Sequence, residues 1–277
     1  MYAEPRRRKI PGDGIDLQLL DWGGDGPPIL FLHGGSAHAH WWDFVAPAFT
    51  DRFHAYALDL RGHGDSGWSP EGAYHLADYA AGVRAWMAHD HAARPVLVGH
   101  SLGSFVALRY AIDRPDDVAA LVVVDGRASF SASGSRYMRL LRAIGPAEYA
   151  TLEEATRRFH LLPAETVADT RVLEHVARRS FRQASSGLWV AKFDRATLGA
   201  HEPFDFRDAL GSLSSPVLFV RGENSGVLSR DAAARFAAAC RAGASAEIPG
   251  AYHHVPLDRP RELAAEITRF LHASALL

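Results

Sequence analysis

The chain has 277 residues, 48% of them hydrophobic, enough to bury a full core as one domain with an insertion and too few to favour two independent domains. A formal net charge of -2 leaves no global basic field for nucleic acid, and the single cysteine, Cys240, excludes an internal disulfide and gives no sign of an oxidising compartment. No apolar stretch follows the basic N-terminus and no window approaches the roughly 18 apolar residues of a membrane span, so we expect a soluble, cytoplasmic protein that meets neither nucleic acid nor membrane.

In chain order, Arg6-Arg7-Arg8-Lys9 reads as a solvated terminal arm. Apolar strand-like runs follow at residues 15–20, 28–32, 55–60, 96–99, 119–124, 216–220 and 246–248, with helical segments between them. Several are nearly continuous Val, Leu and Ile rather than alternating, as expected of strands buried on both faces of a mainly parallel sheet. Gly23-Gly24-Asp25-Gly26 lacks the strand-then-helix setting of a phosphate loop and reads as a hairpin turn. Between 125 and 216 the rhythm stops: helix-like stretches at 137–144, 147–159, 165–179 and 206–213 occur with no comparable strand. The simplest account is a helical insertion at 126–202 interrupting a core of 1–125 and 203–277. Cys240, in the alanine-rich helix 231–241, reads as a packed core thiol. The last helix, 259–273, has Leu263, Ile267, Phe270 and Leu271 at helical spacing and is expected to close the sheet's edge.

The chemistry concentrates at Gly99-His100-Ser101-Leu102-Gly103, which follows the apolar run 95–98 and precedes the helix-like segment 102–113. A serine at the apex of so sharp a turn needs small residues two before and two after it, because strand and helix backbones approach too closely for side chains. Gly99 and Gly103 meet that need. A serine hydroxyl is a poor nucleophile at neutral pH, so Ser101 requires a base within hydrogen-bond reach and a third group to orient that base.

Four stretches, in the right order and over almost the whole chain, resemble the α/β-hydrolase family: His33-Gly34-Gly35-Ser36, Asp59-Leu60-Arg61-Gly62-His63-Gly64-Asp65-Ser66, the turn at Ser101, and Gly250-Ala251-Tyr252-His253-His254-Val255. The resemblance implies an eight-stranded, mainly parallel sheet with helices on both faces and a helical lid between strands six and seven, where the insertion falls. It implies that His253, rather than its neighbour His254, is the catalytic imidazole, and that the backbone N–H groups of Gly35 and Leu102 form an oxyanion hole. His100 and His33 are read as structural, as are Asp59, Asp65 and the Arg61-Gly62-His63-Gly64 turn.

The acid is where the chain departs from the family. In relatives the loop after strand seven usually carries an aspartate; here it reads Arg221-Gly222-Glu223-Asn224-Ser225-Gly226-Val227-Leu228, with Ser225 or Gly226 at the usual positions. Asp125, ending the run Val122-Val123-Val124, is the leading alternative, because the C-terminal ends of neighbouring parallel strands converge on one crevice. Glu223 and an incomplete triad stay open. His38 and His40 have the spacing of a metal pair, but no completing ligand lies near them in sequence, so neither metal nor organic cofactor is expected.

The insertion is expected to wall a pocket, with Trp41, Trp42, Phe130, Tyr137, Met138, Phe159, Trp189 and Phe193 as available apolar groups and Arg136, Arg139 and Arg142 as a solvated face. The expected function is hydrolysis of small, mainly apolar carboxylic esters or lactones through an acyl-enzyme. Because this fold hosts several chemistries, a cofactor-free oxygenase, a carbon–carbon bond hydrolase and a slow-turnover ligand-binding signalling module are the rivals. Oxygen uptake without ester turnover would mark the first rival, and tight binding with negligible turnover the last.

Overall fold

The computed structural model describes residues 4–200 and 202–277. Eight strands, β1 (Arg6–Pro11), β2 (Asp16–Gly23), β3 (Pro28–Leu32), β4 (His54–Leu58), β5 (Val96–His100), β6 (Ala120–Val124), β7 (Val217–Gly222) and β8 (Gly243–Ile248), form one sheet. Their spatial order is β1-β2-β4-β3-β5-β6-β7-β8. The pairs from β4 through β8 are parallel, and β2 runs antiparallel to both β1 and β4.

Alternation of side chains across the sheet explains the unbroken apolar runs. In β6, Leu121 and Val123 join one apolar cluster while Ala120, Val122 and Val124 join the other; in β3, Leu30 and Leu32 face the first, Ile29 and Phe31 the second. The first cluster is closed by α1 (Leu76–His89), α2 (Leu102–Asp113) and α6 (Arg230–Ala239), through Val83, Trp86, Val106 and Phe236. The second is closed by Trp42, Val45 and Phe49 and by the last helix, α7 (Pro260–Ala273), whose Leu263, Ile267, Phe270 and Leu271 are buried. That helix therefore covers a face of the sheet rather than its edge. Cys240 is buried just after α6, its thiol 3.3 Å from the Phe236 carbonyl, and burial pushes it up to about 11.

The basic N-terminal run is not a solvated arm but edge strand β1, because its cations find carboxylates far along the chain: Arg8 pairs with Asp21 at 3.2 Å and Asp90 at 2.5 Å, and Arg7 with Asp65. Positive residues on an edge strand also discourage pairing with another chain. The Gly23–Gly26 segment is not a hairpin turn, since β4 lies between β2 and β3. Its glycines instead permit close backbone approach: a Cβ on Gly24 would stand 1.9 Å from the Phe53 carbonyl oxygen.

Between β6 and β7 the chain is not purely helical. It carries α3 (Ala132–Ala143), α4 (Leu152–Arg158) and α5 (Thr170–Arg179), each shorter than or offset from the expected stretches. Three short strands, Glu148–Tyr149, Phe181–Gln183 and Trp189–Ala191, form a separate antiparallel sheet, and Ser129–Phe130 pairs with Phe204–Asp205. Residues Arg207–Ser212 form a 3-10 helix. The segment is tied to the rest by a buried apolar cluster, in which its Leu161 and Val176 join Trp41, Phe44 and Leu257, and by dispersed polar contacts: Tyr74 donates to Asp194 at 2.6 Å, Lys192 pairs with Asp65 at 2.7 Å, and Val167 N–H donates to Asp258 at 3.1 Å.

Candidate active site

Ser101 sits between β5 and α2 with φ 51° and ψ -114°, a conformation that a non-glycine residue adopts only when its surroundings enforce it. The enforcement is visible in the flanking glycines. A Cβ on Gly99 would stand 2.3 Å from the Gly103 carbonyl oxygen, and one on Gly103 would stand 2.2 Å from the Leu32 carbonyl oxygen. Strand, turn and helix are thus in backbone contact, and the serine is thrust out at the C-terminal end of the sheet.

The structure brings Ser101, His253 and Asp125 together. His253 Nε2 lies 3.2 Å from Ser101 Oγ, and His253 Nδ1 lies 2.6 Å from Asp125 Oδ2. Asp125 is fully buried at the end of β6 and has φ 46°. Its carboxylate accepts from the Gly222 N–H at 3.1 Å and from the Ser225 hydroxyl at 2.5 Å. Ser225 in turn accepts from the Val227 N–H at 3.0 Å. Ser225, one of the two residues at the positions where relatives usually carry an aspartate, therefore donates a hydrogen bond to Asp125 at the end of the neighbouring strand. In the sequence Ser225 reads only as a departure, because its partner lies 100 residues away. Glu223 faces elsewhere, accepting from the Gly250 N–H at 2.7 Å.

The other histidines occupy distinct positions. His254 points away from Ser101 and donates through Nε2 to the Pro163 carbonyl at 2.7 Å, tying the segment between β6 and β7 to the histidine loop. Burial, then the neighbouring His253, pushes His254 down to about 4. His100 donates to the His253 carbonyl at 2.9 Å, and burial, followed by its neighbours His253 and His254, drives it well below the ordinary range. His33 donates from Nδ1 to the Gly34 carbonyl at 2.7 Å and accepts from the Leu60 N–H at 3.0 Å, which fixes both its tautomer and the loop after β3. His38 is buried against α5, hydrogen-bonded to Val176 and Ser180 at 3.0 Å each.

The loop after β3 passes directly beside the serine: a Cβ on Gly34 would lie 3.3 Å from Ser101 Cβ, while one on Gly35 would meet nothing within 4 Å. Asp59 holds this loop in place, accepting from Ala39 N–H at 2.6 Å and from Asp65 N–H at 2.8 Å. Leu102 opens α2, and the first N–H groups of a helix have no acceptor within it. Gly34 is buried and Gly35 exposed, and the loop after β3 and the positive end of α2 both border Ser101.

Of the aromatic candidates, Trp41 packs between His100 and His254, with ring centroids 6.0 and 5.5 Å away. Trp42 does not reach the site; it is fully buried against Phe31 in the second core cluster. Phe130 packs with Phe105 and Phe204, Phe159 against Phe181, and Phe193 on His63, while Tyr137 stands 53% exposed on α3 beside the exposed Arg136, Arg139 and Arg142. Among the described residues no helix is long and apolar enough to cross a membrane.

A family model described as the alpha/beta hydrolase fold matches residues 27–260. The chain is similar to esterase Rv0045c of Mycobacterium tuberculosis, 30% identical over 265 residues that cover 91% of this chain and 85% of that protein. It is also similar to 2-(acetamidomethylene)succinate hydrolase of Mesorhizobium japonicum, 28% identical with 96% and 95% covered. Among solved structures, the crystal structure of E-2-(acetamidomethylene)succinate hydrolase matches with a TM-score of 0.84 at 24% identity, over 97% of this chain and 99% of that one. By the extent of the family match and by its sheet, the chain belongs to the alpha/beta hydrolase fold family.

Proposed function

We propose that this protein is a serine hydrolase that cleaves carboxylic esters or lactones of small, mainly apolar substrates through an acyl-enzyme. The observation that carries the reading is the continuous chain Ser101 Oγ, His253 Nε2, His253 Nδ1, Asp125 Oδ2, with steps of 3.2 and 2.6 Å. With Asp125 accepting from Nδ1–H, the Nε2 lone pair is left facing the serine. His253 takes the Ser101 proton as the oxygen attacks the carbonyl, and the Gly35 and Leu102 amides hold the resulting oxyanion. His253 then returns that proton to the departing alcohol, and water repeats the sequence to release the acid. The 3.2 Å step is longer than the usual hydroxyl hydrogen bond, as is common before substrate draws the two groups together.

In this reading residues 126–202 act as a lid over Ser101, anchored beside the site by the Pro163 carbonyl on His254. The similarity to an esterase at 30% identity supports ester chemistry. A second reading is favoured by one observation, the 28% identity to a hydrolase of 2-(acetamidomethylene)succinate, and assigns the same residues to such a substrate.

The test is steady-state turnover of p-nitrophenyl esters of increasing acyl length, aryl esters and lactones by the wild-type chain and by Ser101→Ala. We expect ester turnover that Ser101→Ala abolishes in a folded protein. Turnover of 2-(acetamidomethylene)succinate without turnover of any ester would move the assignment to the second reading. Undiminished ester turnover in Ser101→Ala would end both.

A further inference from the structure

His40, Asp43 and His175 form a second cluster of metal-ligating side chains, separate from Ser101 and His253. One donor atom from each lies within 4.8 Å of the others. His40 Nδ1 is 2.9 Å and His175 Nε2 2.6 Å from the same oxygen, Asp43 Oδ2. Ligands bonded at about 2.0–2.1 Å around a tetrahedral ion stand roughly 3.3 Å apart, so these separations need open by less than about 1 Å to admit one. The sequence spacing pairs His40 with His38. The fold instead pairs it with Asp43, a carboxylate only three positions on, which corrects the expectation that no completing ligand lies nearby in sequence, and with His175 on α5.

The surroundings favour a cation. Asp43 is buried, 3% exposed, and its Oδ2 accepts from both His40 and His175. Two imidazoles enclose its carboxyl group, with Phe44 packed edge-on against His175 at 4.9 Å and His38 beside His40 at 6.0 Å. The His38 ring nitrogen Nδ1 is buried with no hydrogen-bond partner among the described residues. Two imidazoles and a carboxylate make a borderline donor set, suited to zinc, cobalt or nickel rather than to magnesium or calcium.

We propose that His40, Asp43 and His175 bind a divalent transition-metal ion of the zinc class, which when bound pins α5 to the turn after β3. The site needs no contribution from the Ser101 chemistry and stands or falls independently of it. His40 lies in the turn Ala39–Trp42, Asp43 directly follows it, and His175 lies on α5, so one ion reinforces a junction where Trp41, Phe44 and Val176 already share a buried apolar cluster. Binding requires each imidazole to move the N–H proton it now directs at Asp43 to its other ring nitrogen. For His175 the remaining proton must then sit on Nδ1, where the Arg179 guanidinium now lies at 3.2 Å. Arg179 must therefore swing away, toward Glu4 at 3.6 Å, and competes with the ion.

The test is calorimetric titration of zinc chloride into the full chain, with cobalt chloride as a spectroscopic probe. We expect one zinc ion per chain, a rise in melting temperature with zinc, and visible cobalt bands of tetrahedral type. Affinity should fall at least tenfold in His175→Ala and in His40→Ala, and rise in Arg179→Ala. His40 and His175 are both partly exposed, so either variant that folds suffices. No binding by the wild type, or binding unchanged in both histidine variants, overturns the proposal. Binding lost instead in His253→Ala also overturns it, because His100, His253 and His254 likewise place donor atoms within 4.8 Å of one another.

Discussion

Replacing Asp125 by asparagine removes one charge at constant shape, and the hydrogen bonds around the carboxylate determine the effect on turnover. All three partners are donors: Gly222 N–H to Oδ1, and Ser225 O–H and His253 Nδ1–H to Oδ2. An amide cannot accept at both ends. If its oxygen faces Gly222, its NH2 faces Ser225, whose hydroxyl can turn to accept, and His253, whose Nδ1 must give up its proton. The imidazole then carries its proton on Nε2 and cannot act as a base toward Ser101. If the amide is reversed, His253 keeps its working tautomer, but the buried Gly222 N–H meets an NH2, at a cost of about 1–3 kcal/mol for an unsatisfied donor. The inactive orientation is thus favoured by roughly five- to 150-fold, at about 1.4 kcal/mol per decade, before counting the lost stabilisation of the imidazolium. Together these predict a fall in kcat of about 10³ to 10⁴ with the fold retained. Turnover of a p-nitrophenyl ester beside a melting curve measures both. A stable Asp125→Asn enzyme with near-wild-type kcat would refute the reasoning, and a collapse in Glu223→Gln would move the acid to the loop after β7.

Other outcomes rest on the same contacts. His253→Ala should lose nearly all ester turnover, whereas His254→Ala should retain far more and lose about 1 kcal/mol of stability with its bond to Pro163; the reverse order of kcat values would show that the roles are exchanged. The buried His38, His63 and His254 are pushed down to about 3, 4 and 4, while the unfolded chain takes up protons below about 6.5. The unfolded state therefore binds more protons as pH falls from about 6.5 toward 4, and urea unfolding should show stability lost over that window, by up to about 2 kcal/mol per histidine at pH 5. Equal stability at pH 7 and pH 5 would contradict this. Gly103→Ala should fail to fold or lose several kcal/mol because its Cβ would meet the Leu32 backbone at 2.2 Å, whereas Gly35→Ala, with nothing within 4 Å, should keep its melting temperature.

The features legible in the sequence and those hidden from it differ in range. The turn at Ser101 was legible because its constraint is local, two glycines within two residues of the serine and a strand and helix on either side. The parallel sheet was legible because Val122-Val123-Val124 and its counterparts face apolar layers on both sides. Strand β1 was hidden because its arginines are neutralised by Asp21, Asp65 and Asp90, which no local pattern connects to it. The short strands between β6 and β7, two or three residues each, are too brief to show a period. Asp125 could be weighed against Glu223 but not separated from it, since the separation rests on Gly222, Ser225 and His253 converging on one carboxylate.

The proposed mechanism rests on Ser101 as nucleophile and His253 as its base. Incubating the protein with diethyl p-nitrophenyl phosphate and mapping the modified peptide by mass spectrometry tests it directly, because the reagent phosphorylates an activated serine and releases p-nitrophenol. We expect one diethylphosphoryl group on Ser101, with loss of ester turnover in step, and little labelling in His253→Ala. Ester turnover persisting in a chain that carries no adduct, or carries one on a residue other than Ser101, would contradict it.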